Sequence, residues 1–157
     1  MDTSGLYPQM GVNDPLYEVA DYTQALKTAL SPRYKNVTGY GSLYKAYGAP
    51  FTVPRWVREG KMIKLEGLIG TTQTTISMNA AQQYDLFTIP LEPTPVDDKM
   101  FMVPTTPQMG YYGIIYVRKT GMVQFWCPGF TNVATTNFAI GLDNITYYAN
   151  TSGFTAV

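Results

Sequence analysis

The sequence predicts an all-β protein, an antiparallel sandwich or barrel preceded by an extended arm and one short helix. Three observations carry this. From Val37 onward the 157-residue chain reads as short apolar strands, with turn signals recurring at intervals of roughly 8–12 residues, the spacing of sandwiches and barrels. Two of those turns, Glu59-Gly60 and Thr120-Gly121, close hairpins, because glycine supplies the positive φ that tight turns need. Only residues 14–31 repeat apolar side chains at a convincing helical spacing.

Residues 1–15, MDTSGLYPQMGVNDP, set isolated apolar residues among Gly, Pro, Asn and Asp, the composition of an extended arm. Asp14 and Pro15 then open the helix: Asp14 can cap it, Pro15 suits its first position, and Pro32 stops it. Leu16, Val19, Leu26 and Leu30 lie on its apolar stripe. A helix of about 16 residues is marginal alone, so that stripe needs a partner.

Strands are expected at residues 51–58, 61–70, 73–78, 85–89, 100–103, 111–119, 122–126, 135–140 and 144–149. The first hairpin should pair Val57 with Met62, Trp56 with Ile63 and Pro54 with Leu65. The second should pair Tyr116 with Phe125 and Ile115 with Trp126. Three strands end at proline, in FTVP, FTIP and FMVP, where a missing N–H is tolerated. A half-buried hairpin should be polar on its outer face. Here both hairpins carry apolar residues on both faces: Val53, Val57, Met62 and Leu68 form a second set beside Trp56, Ile63 and Leu65.

Composition narrows the function. Basic and acidic residues balance at 11 each, which argues against nucleic acid or anionic lipid as a partner. Only 14 % of residues are charged, against about 25 % in ordinary soluble domains. With 13 Tyr, this describes a surface that meets protein or sugar. No apolar run is long enough for a membrane helix, and the N-terminus shows no secretory leader pattern. Cys127 is the only cysteine and sits among apolar neighbours, so a buried, inert thiol is expected.

The chemistry of catalysis is thin. Histidine is absent, which removes Ser-His and Cys-His nucleophile pairs and Cys/His zinc sites. GYGSLYKAYG lacks the ending of a phosphate loop. Of the carboxylates, Asp97 and Asp98 fall in a Pro-rich loop, and Glu66 has Lys64 and Arg55 close enough for cross-strand ion pairing. The chain is expected to be no enzyme and to need no cofactor or metal. Tyr111, Tyr112 and Trp126 stand beside Pro-, Thr- and Gly-rich loops, where flat rings can stack on pyranose faces. The competing reading places the same rings in the core or at a subunit interface.

Four segments, taken in order, resemble the C-terminal head domain of bacteriophage fibre and receptor-binding proteins. GYGSLYKAYGAPFTVPRWVREGKMIKLEGLIG matches an aromatic-Gly lead-in followed by a hairpin, with Pro54, Arg55, Trp56, Arg58, Gly60, Ile63, Leu65 and Gly67 at the motif positions. LFTIPLEPTP matches a strand ending in a Pro-rich loop, IYVRKTGMV a second hairpin, and LDNITYY a last strand. Together they span about residues 39–149.

The resemblance implies a homotrimeric antiparallel β-sandwich, exposed on the virion, that attaches the particle to host cell-wall saccharide. On that reading residues 37–157 are the head and residues 1–36 a docking arm and helix. Leu6, Tyr7, Met10 and Val12 would dock on another virion protein. Leu16, Val19, Leu26, Leu30, Val57 and Met62 would face the other subunits, which accounts for the second apolar faces. Tyr111, Tyr112, Trp126, Asp97 and Asp98 are the expected saccharide contacts. Family members often follow a long shaft, and this chain places only an arm and a helix before the head. A capsid or collar decoration protein of the same fold is the alternative, and a small glycan hydrolase is a third reading.

Overall fold

The computed structural model describes residues 22–24, 26–27 and 32–150. The chain divides into two compact units, Met1–Pro32 and Arg33–Val157. In the first, residues 22–24 and 26–27 are helical, and Tyr22 and Leu26 are exposed. Leu16, Val19 and Leu30, like the arm residues Leu6, Tyr7, Met10 and Val12, lie outside the described residues.

The second unit is built of antiparallel β-structure, as expected. One sheet joins β1 (Arg33–Asn36), β3 (Arg55–Glu59), β4 (Met62–Glu66) and β13 (Ile145–Tyr148) in the order β1-β3-β4-β13. A second joins β7 (Tyr84–Thr88), β8 (Lys99–Pro104), β9 (Tyr112–Val117) and β10 (Met122–Trp126) in the order β7-β10-β9-β8. Strands β12 (Ile140–Gly141), β5 (Leu68–Thr71) and β2 (Tyr44–Ala46) form a third, and β11 (Phe130–Ala134) pairs with β6 (Thr75–Met78). Strand β1 lies on the arm side of the boundary expected at residues 36 and 37, yet its four residues pair along β3.

The first hairpin turns at Gly60-Lys61, pairing Glu59 with Met62 and Trp56 with Leu65. Each expected partner on β4 is displaced by two residues, and a shift of two keeps every side chain on its face. Trp56, Ile63 and Leu65 are accordingly buried, while Val57 and Met62 are half-buried on the other side. The expected strand 61–70 is two strands, broken at Gly67. Its φ of 102° sends the chain from the first sheet to the third, and a Cβ there would meet the Thr52 carbonyl oxygen at 2.6 Å.

The second hairpin differs by one residue. Lys119, Thr120 and Gly121 form a three-residue loop, closed by the Arg118 N–H donating to Met122 O at 2.9 Å. Gly121 supplies the left-handed residue such loops need, with φ 91°. Ile115 therefore faces Phe125 and Tyr116 faces Gln124. This slip exchanges the faces: Ile115, Val117, Val123 and Phe125 are buried, and Ile114, Tyr116, Gln124 and Trp126 form the outer face. The expected strand 135–140 is instead a 3-10 turn at Thr135–Asn137 followed by the start of β12, and β11 precedes it.

One apolar cluster joins the inward residues of these sheets, including Leu65, Ile69, Phe87, Ile115, Phe125 and Ile145. Each such side chain stabilises the fold by about 1.5–3 kcal/mol before entropy is counted. The Phe101 and Tyr147 rings, 6.3 Å apart, tie β8 to β13. Cys127 is buried, with Sγ 3.8 Å from the Met78 sulfur.

Candidate functional site

The aromatic residues singled out by the sequence gather around the start of β9. A 3-10 turn at Pro107–Met109 precedes it, anchored by the fully buried Met109. Gly110 ends the turn at φ 89°, and Tyr111 follows at φ 69°, a left-handed conformation costly for a side chain with a Cβ. Backbone bonds hold it there: Thr105 N–H donates to Tyr111 O at 3.0 Å, and Tyr111 N–H to Thr106 O at 3.3 Å. The Tyr111 ring is left 71 % exposed at the tip of the loop.

Tyr112 begins β9 opposite Pro104, and Trp126 lies opposite Ile114. Both point to the outer face of the second sheet, Tyr112 exposed and Trp126 half-buried. The Trp126 indole N–H donates to Ala80 O at 2.6 Å, fixing the ring in place. Neither ring is in the core.

Asp97 and Asp98 stand elsewhere. They precede β8, whose six residues put the 93–98 loop about 17 Å from the 105–111 turn at 3.4 Å per residue. Asp98 is occupied: Lys119 N–H donates to its Oδ1 and Arg118 Nη1 to its Oδ2, each at 2.9 Å. The Lys119 amide first, and the Arg118 guanidinium with it, hold the Asp98 carboxyl below its usual range. Asp97 is exposed. The structure thus brings Tyr111, Tyr112 and Trp126 to one end of β9 and leaves the two aspartates at the other.

Two features went unseen in the sequence. Arg118 is the hub of a polar network: Nε donates to Gln124 Oε1 at 2.8 Å, Nη2 to Gln83 Oε1 at 2.6 Å, and Gln124 Nε2 in turn to Asp85 at 2.7 Å. Its guanidinium also stacks 4.8 Å from the Tyr116 ring centre. Gln83 lies 35 residues from Arg118 and Asp85 lies 39 from Gln124, and only the sheet assembles them. The second feature is Met100 and Met102, 64 % and 72 % exposed on the outer face of β8. The uninterrupted apolar run Met100-Phe101-Met102-Val103 signals it, since alternation sends half of such a run outward.

On the first sheet, the ion pairing expected at Glu66 is present. Arg55 Nη2 lies 2.7 Å from Glu66 Oε2, and Lys64 Nζ lies 2.8 Å from Oε1. Between the edges of β8 and β13 an open depression of about 310 Å³ is lined by Lys99, Phe101, Tyr147 and Tyr148. Among the described residues, no three His, Cys, Asp or Glu side chains gather as metal ligands would, and no helix is long and apolar enough to cross a membrane. No protein-family model matches the chain, and no curated protein matches it.

Proposed function

We propose that the chain is a non-enzymatic virion protein of fibre or spike type, whose β-sandwich head forms a homotrimer and attaches the particle to host cell-wall saccharide. The observation that carries this reading is the correspondence between motif and structure. The four segments that resemble phage head domains coincide with the β3–β4 hairpin, with β7 and the loop after it, with the β9–β10 hairpin, and with β13. The exposed Tyr111, lifted on a strained and well-tethered turn, fits a receptor contact. Two of the three acids considered for catalysis are held below their usual range, Glu66 by Lys64 and Arg55 and Asp98 by the Lys119 amide and Arg118, the opposite of what a general acid needs.

The alternative, a capsid or collar decoration protein, draws on the outer face of the second sheet. Exposed methionines beside a fixed indole suit a permanent protein contact better than a sugar. The deciding experiment measures binding of the labelled, purified protein to whole host bacteria and to their extracted cell-wall polysaccharide. Saturable binding to both, with the polymer's length unchanged, supports attachment. No binding to cells, with the protein still found on particles, gives the decoration reading.

A further inference from the structure

We infer that the depression between the edges of β8 and β13 binds a pyranose unit carrying an acidic group, a carboxylate or a phosphate. The inference rests on the attachment reading above and adds a second contact to it, at the other end of β8 from Tyr111. Strands β8 and β13 each end their sheet, so along one side of each strand alternate backbone N–H and C=O groups carry no ladder partner. The seam between them is pinned at both ends. Pro95 bridges Ala149 beside the depression, and Thr105 bridges Ile140 beyond it. A compact ligand can sit between these bridges, whereas an added peptide strand would have to displace one of them to run on.

The lining side chains set the chemical class of the ligand. Lys99, Phe101 and Val103 share the inward face of β8, which passes from solvent to core: Lys99 is exposed, Phe101 half-buried and Val103 buried. Lys99 makes no ion pair or hydrogen bond among the described residues, and Asp98 beside it in sequence is held by Arg118 and the Lys119 N–H. Its ammonium is therefore available to an anion in the depression. On the β13 side, the Tyr147 ring lies 6.3 Å from Phe101 and the residue is 5 % exposed. The Tyr147 hydroxyl is buried with no hydrogen-bond partner among the described residues, a costly state that a sugar hydroxyl can relieve. Tyr148 is 73 % exposed and offers a flat apolar ring to a pyranose face, and Thr146 adds an exposed hydroxyl. At about 310 Å³ the depression lies at the small end of ligand pockets and suits a single sugar unit. A lysine on an edge strand can also serve only to discourage pairing with another chain, a role that needs no ligand.

The test is an NMR titration of the full chain's amide resonances with glucuronate, glucose-6-phosphate and neutral glucose at matched ionic strength. Saturable shifts are expected at Lys99, Phe101, Thr146 and Tyr148, with an acidic sugar binding about tenfold tighter than glucose. The tighter of the two acids identifies carboxylate or phosphate as the natural group. Lys99→Gln should erase the preference, and Tyr148→Ala should weaken all three sugars, each with an unchanged melting temperature. If neither acid shifts these resonances, or glucose binds equally well, the inference is overturned and Lys99 only guards the edge. An equal response to sodium sulfate, or to an acidic peptide in place of the sugars, overturns it too. Attachment is read separately, from binding of the wild type to host bacteria. A wild type that binds bacteria and neither acid keeps attachment and loses this site. One that binds an acidic sugar and no bacteria does the reverse.

Discussion

Arg55 and Glu66 face each other across the β3–β4 hairpin, with Nε and Nη2 of the arginine both reaching Oε2, at 2.8 and 2.7 Å. Lys64 holds the other oxygen, so the Lys64 bond first and the Arg55 bond second pull the Glu66 carboxyl below its ordinary value of 4.5. With the folded pKa the lower one, the unfolded chain binds more protons in acid, and stability falls with pH. The contribution is complete above about pH 4.5 and is lost as pH drops through the depressed folded value. Lys64 shifts the opposite way, and its share is lost only as pH rises above 10.5 through its raised value. All three groups keep some solvent contact, so the pairing stabilises by about 1 kcal/mol at most. Glu66→Gln should lower the urea midpoint at neutral pH accordingly, with the gap closing in acid. A gap that stays constant down to the acid transition would show that the pairing adds nothing.

Gly113 has no room for a side chain. A Cβ would lie 2.2 Å from Cε2 of Phe125 and 2.8 Å from the Trp126 carbonyl oxygen. The Phe125 ring is fully buried and has nowhere to retreat. Gly113→Ala is expected to destabilise the fold by about 1–3 kcal/mol, the usual cost of overpacking. Thermal melting measures it, and an unchanged midpoint would mean that the sheet yields at this point.

Burial pushes the Cys127 thiol up from its ordinary value. Only 1 % of the residue is exposed, so thiolate is scarce and hard to reach. The native chain should react negligibly with a disulfide reagent at mildly alkaline pH and take up one equivalent in strong urea. Rapid labelling of the native protein would show that β10 opens readily near its end.

Which features could be read from the sequence depended on what fixed each one. Apolar alternation located β3, β4, β9 and β10, because a half-buried strand has period two. The faces of β3 and β4 were legible even though the turn lies one residue later, since the displacement is even. Thr120-Gly121 misled because a glycine can sit inside a two-residue turn or serve as the third residue of a longer loop. Only packing decides: Gly121 O accepts from Ile89 N–H, and a Cβ would meet Ile89 O at 2.3 Å. Strand β1 carries Arg, Tyr, Lys and Asn, all exposed, and no apolar pattern marks it. In β11 the register shifts between Phe130 and Val133 around the left-handed Asn132, which breaks the alternation a reader looks for. The Asp98 clamp was illegible for another reason. Arg118 lies twenty residues on, and loop composition says nothing about which cation returns to it.

On the proposed reading, Tyr111 separates attachment from assembly. It stands at the loop tip, off the Met102–Ile114–Trp126 row, and is 71 % exposed, so neither core nor sheet face depends on its ring. Glycine accepts φ 69° without strain, so Tyr111→Gly removes the ring while relieving the backbone. That relief offsets the greater freedom glycine gives the unfolded chain, and net stability should stay within about 1 kcal/mol of wild type. The mass in solution should not change. Binding to host bacteria should weaken about tenfold, equivalent to roughly 1.4 kcal/mol of lost contact. Undiminished cell binding by Tyr111→Gly would remove the turn from the receptor site. A melting point lowered by several degrees would return the ring to a structural role, because no backbone strain is then available to explain the loss.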